Sequence, residues 1–115
     1  MSPEQAELVA RLRAVFGDEP VVREVSMFGG RAFMVNEKMA VGALKRGDLL
    51  VRVTADRHEE LLRIPGATQA EMGAGRDMGP GWIEVAASAV AEDAGLRFWT
   101  GVAMEHNRTV TGGAV

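Results

Sequence analysis

The first turns of the chain have the residue pattern of a helix start. Ser2 is a suitable N-cap, Pro3 fits the first helical position, and Gln5 stands three residues after the cap. The segment that follows, "AELVARLRAVF", has apolar residues at steps of three and four, the spacing of one helix face. Gly17 then ends the pattern. A helix is therefore predicted over residues 3–16.

The next part of the chain alternates between apolar and polar residues, as half-buried strands do. Gly29 and Gly30 separate the first two strands, and Asn36-Glu37 separates the second from the third. Because glutamate is unusual at the second position of a tight hairpin turn, a longer or bulged loop is expected there. The predicted strands cover residues 21–26, 31–35, 38–44 and 49–53.

The second half of the chain adds helices on either side of a glycine-rich segment. Thr54 is a suitable N-cap for a helix that ends at Ile64, with His58 facing outward and Leu61 inward. In the last helix, apolar residues and His106 recur on one stripe. That stripe consists of Leu96, Trp99, Ala103, His106 and Val110. The other predictions are a short extended piece at 70–73 in a loop spanning 66–81, a strand at 82–85, a short turn at 87–91 and a helix at 93–109.

This order of helix, four strands, helix, strand and helix predicts an α+β fold. Strands joined by short turns pair antiparallel, so we expect a two-layer sandwich with helices on one face of a sheet of about five strands. Neither a linker nor an internal repeat divides the chain. A single domain is predicted over residues 1–115, with its core at 3–110 and a frayed tail at 111–115.

Composition and charge narrow the classes of partner. Hydrophobic residues make up 47% of the 115 positions, yet their runs are far shorter than the roughly 20 needed to cross a bilayer. Asp and Glu outnumber Lys and Arg by 16 to 13, and no basic run is present, so direct nucleic-acid binding is not expected. The start of the chain lacks a signal peptide, and cysteine is absent. We therefore expect a cytoplasmic protein that does not bind membranes.

The titratable residues form no recognisable catalytic or metal-binding set. His58 lies in a charged run without a second histidine at metal-ligand spacing, which indicates a solvated helix face. His106 is expected to be partly buried and hydrogen-bonded to a neighbour. No catalytic residue, cofactor or metal ligand is predicted, and the protein is expected not to be an enzyme.

Two clusters of methionine and glycine are the most distinctive feature of the sequence. They are "MFGG" at 27–30 and "EMGAGRDMGPGW" at 71–82. We expect Phe28 and Met27 to fill the core beside the first turn, and the second cluster to lie nearby. The methionines are either adaptable core filler or a soft protein-binding surface. The candidate interaction surface comprises Met27, Phe28, Gly29, Gly30, Arg31, Arg76, Met78 and Trp82.

The same segments carry a family resemblance. "MFGGRAFMVNEKMAVGAL", then "GDLLVRV" and "EMGAGRDMGPGWIEV", resemble the N-terminal domain of the TfoX/Sxy family of competence regulators, over about residues 5–110. The resemblance implies a small fold with an antiparallel sheet flanked by helices. It also implies transcriptional coactivation of DNA-uptake genes alongside a cyclic-AMP-receptor-type regulator. Better-known members carry a second, C-terminal domain, whereas this chain is expected to be a stand-alone, single-domain member.

Two function classes follow from the sequence. The first is a non-enzymatic regulatory domain that contacts a protein partner, such as a transcription regulator. The alternative is a small-ligand-binding or enzymatic domain that uses the loop 71–82 with Arg31, Arg76 and Trp82. A homodimer formed through an exposed sheet edge is compatible with either class.

Overall fold

The computed structural model describes residues 1–27, 29–72 and 75–112. Within these ranges the chain forms three α-helices and a six-stranded sheet. The helices are α1 (Pro3–Val15), α2 (His58–Leu62) and α3 (Asp93–Thr111). The strands are β1 (Val22–Met27), β2 (Gly30–Val35), β3 (Lys38–Ala43), β4 (Leu49–Arg52), β5 (Ala67–Gln69) and β6 (Trp82–Val85). Short 3-10 turns at Ala55–Arg57 and Ala87–Ala89 precede α2 and α3.

The strands pair antiparallel in the order β1-β2-β3-β4-β6-β5. The predicted α+β fold is therefore confirmed, with one strand more than the expected five. The additional strand, β5, lies at Ala67–Gln69, just before the extended piece predicted at 70–73. It pairs only with β6, so β1 and β5 are the two edges of the sheet.

The helices pack on one face of the sheet, as predicted. Four directly paired residues of the central strands, one per strand, are fully buried there: Phe33, Val41, Val51 and Ile83. They share one hydrophobic core with apolar side chains of all three helices. This face, which we call the covered face, supplies most of the burial that stabilises the fold.

The start of α1 forms as the sequence predicts, and it is tied to the β3–β4 turn. The Ser2 hydroxyl accepts a hydrogen bond from the Gln5 amide at 3.1 Å and donates one to the Lys45 carbonyl. The Gln5 side chain, which is buried, donates to the Ala43 carbonyl at 2.9 Å. The helix cap thus also fixes where α1 meets the sheet.

The turn between β2 and β3 corrects the sequence prediction. Val35 pairs directly with Lys38, so only Asn36 and Glu37 form the loop, and both have positive φ, 52° and 67°. The expected longer loop is wrong, because both residues adopt the left-handed conformation of a two-residue hairpin turn. The bulge lies further along, where Ala40 adds one residue to β3.

Helix α3 ends slightly later than predicted and is held by a polar residue that the sequence pattern did not reveal. It extends to Thr111, and Gly112, with φ of 79°, caps it. Asn107 is fully buried and donates hydrogen bonds to the carbonyls of Val35 and Lys38. Val110, expected on the apolar stripe, is instead 47% exposed.

Candidate functional site

The first methionine–glycine cluster lies where β1 and β2 meet, since Met27 ends β1, Gly30 begins β2 and the two pair directly. Gly29 has φ of 73°, which favours glycine, while a Cβ on Gly30 would lie 2.5 Å from the Ala43 carbonyl oxygen. Met27 is half-buried and belongs to the face away from the helices, so the expectation that it fills the core is wrong. Phe28, expected beside it, lies outside the described residues.

Arg31 follows this turn but faces the helix side of the sheet. Arg31 pairs directly with Ser26 of β1 and with Ala43 of β3. Ala43 pairs in turn with Leu49 of β4, which is buried in the core beneath the helices, so all these side chains lie on one face. Its guanidinium lies 3.4 Å from Glu24, whose other oxygen accepts a 2.6 Å hydrogen bond from Arg13. These two arginines, Arg13 foremost, lower the pKa of Glu24. The charge of Arg31 is therefore already matched within the fold.

The second cluster forms the connection between β5 and β6. The amide of Met78 donates to the Ala70 carbonyl at 2.9 Å, and Glu71 forms a bridge with Asp77. Met78 is half-buried, whereas Arg76 is exposed. These contacts pair the two described parts of the connection, 70–72 and 75–81, as a short hairpin beyond the end of the two strands.

A buried histidine anchors that hairpin, contrary to the sequence prediction. His58 is only 4% exposed. Its Nδ1 accepts a hydrogen bond from the Gly81 backbone amide at 2.9 Å. Nε2 therefore carries the proton, and it donates a hydrogen bond to Gln69 Oε1 at 2.6 Å. The Gln69 amide then donates to the carbonyls of Gly79 and Trp82. His58 was expected to face solvent, but it is a structural residue because Gln69 of β5 and Gly81, just before β6, offer it two partners.

The two clusters lie at opposite corners of the sheet. The β1–β2 turn is at the sheet end where Ala43 and Leu49 pair, and it belongs to the β1 edge. The described residues of the hairpin, 70–72 and 75–81, extend from the other end, next to Arg52, at the β5 edge. The second cluster therefore does not lie beside the first, although Met27 and Trp82 belong to the same face of the sheet. In the described ranges, Arg31 also lies at the opposite end of the sheet from Arg76 and Trp82, so these three residues do not line one site.

A different surface emerges on the face of the sheet opposite the helices, which we call the open face. No described helix packs on it. Its apolar side chains alternate along the strands with those of the covered face. Its half-buried apolar members are Val25, Met27, Met34, Met39 and Trp82, and beneath them Ala32 and Leu50 are almost fully buried. Neither of the latter two residues belongs to the main core.

Methionine side chains account for part of this burial. A Cβ on Gly42 would lie 3.2 Å from the Met39 methyl group and 3.6 Å from Leu50 Cβ, so the Met39 side chain lies along the open face over Gly42. Met34 pairs directly with Met39 on the neighbouring strand. Among the described residues, the flexible and polarisable Met39 side chain therefore contributes to the cover of the open face.

Arg52 and Trp82 form the most specific arrangement on the open face. They are direct cross-strand partners, and the Arg52 guanidinium lies 4.7 Å above the Trp82 ring centre. The guanidinium also donates to the Gly81 carbonyl at 3.1 Å. Gly81 has φ of 92°, and any Cβ there would collide with the Arg52 guanidinium. Burial lowers the pKa of Arg52.

Glu84 lies two positions beyond Trp82 on the same strand face. Burial raises the pKa of Glu84, and so do a hydrogen bond to Asp48 and the charges of Asp48 and Glu71. Asp48 also accepts the Ala87 amide at 2.9 Å. The open face therefore has a cationic end at Arg52 and an acidic end at Glu84.

Shallow grooves surround the first turn. One, of about 390 Å³, is lined by Gly29, Leu44, Lys45, Arg46, Asp48 and Glu84. Another, of about 490 Å³, contains four residues of the predicted surface: Met27, Gly29, Gly30 and Arg31. The lining of the first groove mixes both charges, whereas Arg31 is the charged side chain of the second, and neither lining converges on one chemical group.

His106 is placed as predicted, partly buried and within 3.4 Å of the Thr54 hydroxyl through Nδ1. Burial and, to a smaller extent, the charge of Arg52 lower the pKa of His106. In the described ranges of the chain, no three histidine or acidic side chains are grouped so as to hold a metal ion. Those ranges also contain no helix with the length and apolarity needed to cross a bilayer.

The six-stranded sheet with helices on one face defines a small α+β domain. The family model for the TfoX N-terminal domain matches residues 14–107, which is most of the chain. The chain therefore belongs to the TfoX N-terminal domain family. No curated protein and no solved structure matches it.

Proposed function

We propose that this chain is a non-enzymatic regulatory domain that acts in the cytoplasm on transcription through contacts with a protein partner. The open face carries this proposal, because it is an apolar, methionine-bearing sheet surface that no described helix covers. Adaptable methionine surfaces are typical of protein-binding sites. Membership of the TfoX N-terminal domain family supports a regulatory role related to competence.

The charge of the chain argues against direct contact with nucleic acid. The formal net charge is −3, and Glu84 is part of the open face itself. Binding to phosphates requires several lysines or arginines on one surface. A protein partner therefore fits the open face better than DNA or RNA does.

Deletion and complementation in the native host test this function. Transcript profiling should show a defined gene set that changes on deletion and recovers with the wild-type chain. Met34→Glu, which places a charge on the open face, should fail to restore that set. Val110→Glu is the matched control, because Val110 is 47% exposed on α3, away from the open face.

Melting temperatures near the wild-type value would show that both variants are folded. Unchanged transcripts after deletion would contradict the regulatory role. Full restoration by Met34→Glu would leave the role intact but exclude the open face as the contact surface.

A further inference from the structure

We propose that the open face binds an acidic amphipathic segment of the partner, with a partner carboxylate on Arg52 and partner apolar side chains over Met34, Met39 and Trp82. The inference rests on the proposed function and names the chemistry of the partner. Its starting point is the unmatched charge of Arg52.

Arg52 is a half-buried cation without an acidic partner in the described part of the chain. The salt bridges of these residues involve other arginines, and the single hydrogen bond of the Arg52 guanidinium goes to the Gly81 carbonyl. A guanidinium carries five N–H donors in a rigid fork that fits a carboxylate. Burial already disfavours the charge of Arg52, so an added carboxylate would offset a cost that the free domain bears.

The position of the guanidinium is fixed before any partner arrives. Trp82 lies beneath it, Gly81 accepts its hydrogen bond, and the missing side chain of Gly81 leaves the space that it occupies. Gly81 is in turn held by His58, which is buried and accepts its amide hydrogen. Because less conformational freedom is lost on binding, a preorganised donor of this kind favours affinity.

The surroundings of Arg52 determine what else the partner must present. On the same face, Met39 lies on β3, the strand next to that of Arg52, and Met34 pairs with it from β2. Both methionine side chains match leucine-like side chains of a partner better than polar ones. Glu84, at the other end of the face, repels a second carboxylate. The complementary segment is therefore apolar, with acid at the Arg52 end only, so the charges also fix its direction.

Methionine methyl NMR offers a direct test, because the methionines are divided between the two sides of the sheet. The probes are three synthetic amphipathic helical peptides with identical leucine positions and with Glu, Gln or Lys at the polar positions of one end only, the other end being uncharged. The Glu peptide should shift the methyl signals of Met34 and Met39 and leave that of core Met104, which is 6% exposed, in place. It should bind at least tenfold more tightly than the Gln peptide, and the Lys peptide should bind least.

Arg52→Gln should reduce the affinity for the Glu peptide about tenfold, to the level of the Gln peptide. Arg97→Gln, which removes an exposed arginine of α3, is the matched control and should change nothing. An unchanged Met104 signal in Arg52→Gln would show that the fold persists. If the Met104 signal moves in Arg52→Gln, the affinities of the wild-type protein for the three peptides still test the inference.

Equal binding of the three peptides, or shifts confined to methionines outside the open face, would overturn the inference. The same variants in the deletion host separate it from the proposed function. Full restoration by Arg52→Gln in a host whose transcripts respond to deletion would overturn the carboxylate contact alone. No transcript response to deletion would overturn the regulatory role, whatever the peptides do.

Discussion

The two faces of the sheet use the same strands for different purposes. Phe33 and Met34 are adjacent in β2, yet Phe33 is fully buried beneath the helices and Met34 is half-buried where no described helix packs. The covered face is filled by branched and aromatic side chains with well-defined rotamers, whereas the open face is rich in methionine. The alternation of a strand thus separates residues that stabilise the fold from residues that remain available for contact.

The open face is nevertheless not simply a surface without a core. Ala32 and Leu50 are 1% and 2% exposed, although neither belongs to the main core. Flexible side chains such as Met39 contribute to that burial.

The largest contrast is expected from truncating the two adjacent residues of β2. Phe33→Ala should reduce the free energy of unfolding by about 3–5 kcal/mol, because it leaves a cavity in a closed core. Met34→Ala should cost about 1 kcal/mol, since a half-buried side chain loses only part of its transfer free energy. Chemical denaturation of both variants measures the difference, and equal losses would contradict the distinction between the faces.

Gly81 and Gly79 test the support of Arg52 on the open face. Both have φ close to 90°, so alanine at either position is strained by roughly 1–3 kcal/mol. Only at Gly81 would the new Cβ also meet the Arg52 guanidinium, while nothing lies near it at Gly79. Denaturation midpoints should therefore fall further for Gly81→Ala. Combining it with Arg52→Ala should recover part of the excess, because the new Cβ would still lie 3.0 Å from the Val53 carbonyl oxygen. Strict additivity of the two changes would exclude the Arg52 contact.

Glu84 should make the open face sensitive to pH in the acidic range. Because the pKa of Glu84 is raised in the fold, the folded protein takes up this proton at a higher pH than the unfolded chain does. Its contribution to stability therefore grows as the pH falls through the folded pKa toward the ordinary value of about 4.3. Glu84→Gln should be more stable than wild type at pH 7. Denaturation as a function of pH should show the advantage vanish near pH 4.

His106, on the helix side, should show a small effect of opposite sign. Burial and Arg52 lower its pKa, so the unfolded chain binds this proton first as the pH falls below about 6.5. The contribution of His106 to the free energy of unfolding is thus fully present above that pH, and it is lost as the pH falls toward the pKa of His106 in the folded protein. His106→Gln should flatten the stability profile between pH 7.5 and 5. A wild-type slope retained in this variant would assign that pH dependence to another group.

Much of the fold follows from local sequence signals. The Ser2-Pro3 cap, the strand alternation and the apolar stripe of α3 through Ala103 all correspond to the structure. Strand β5 escaped prediction because "ATQ" is short and has little apolar character. Its position depends on pairing with β6, which no local pattern encodes.

The candidate site was harder to predict, because it depends on which strands become neighbours. In "LLVRV", strand alternation already places Arg52 on the face opposite Val51 and Val53. The side of the sheet on which Arg52 lies could therefore be predicted from the sequence. That Arg52 meets Trp82 follows only from the pairing of β4 with β6 across an intervening strand in the chain. His58 was misjudged for a related reason, since its charged neighbours indicated solvent while distant Gln69 and Gly81 provided its partners.

The placement of the two tryptophans gives the protein two separate fluorescent reporters. Trp99 is 2% exposed in the core beneath the helices, whereas Trp82 is half-buried under a guanidinium on the opposite side of the sheet. Emission from Trp99 should lie at shorter wavelength and resist quenching by acrylamide until the domain unfolds. Emission from Trp82 should instead respond to whatever displaces or covers Arg52, so Trp99→Phe would convert the protein into an optical sensor of its own open face.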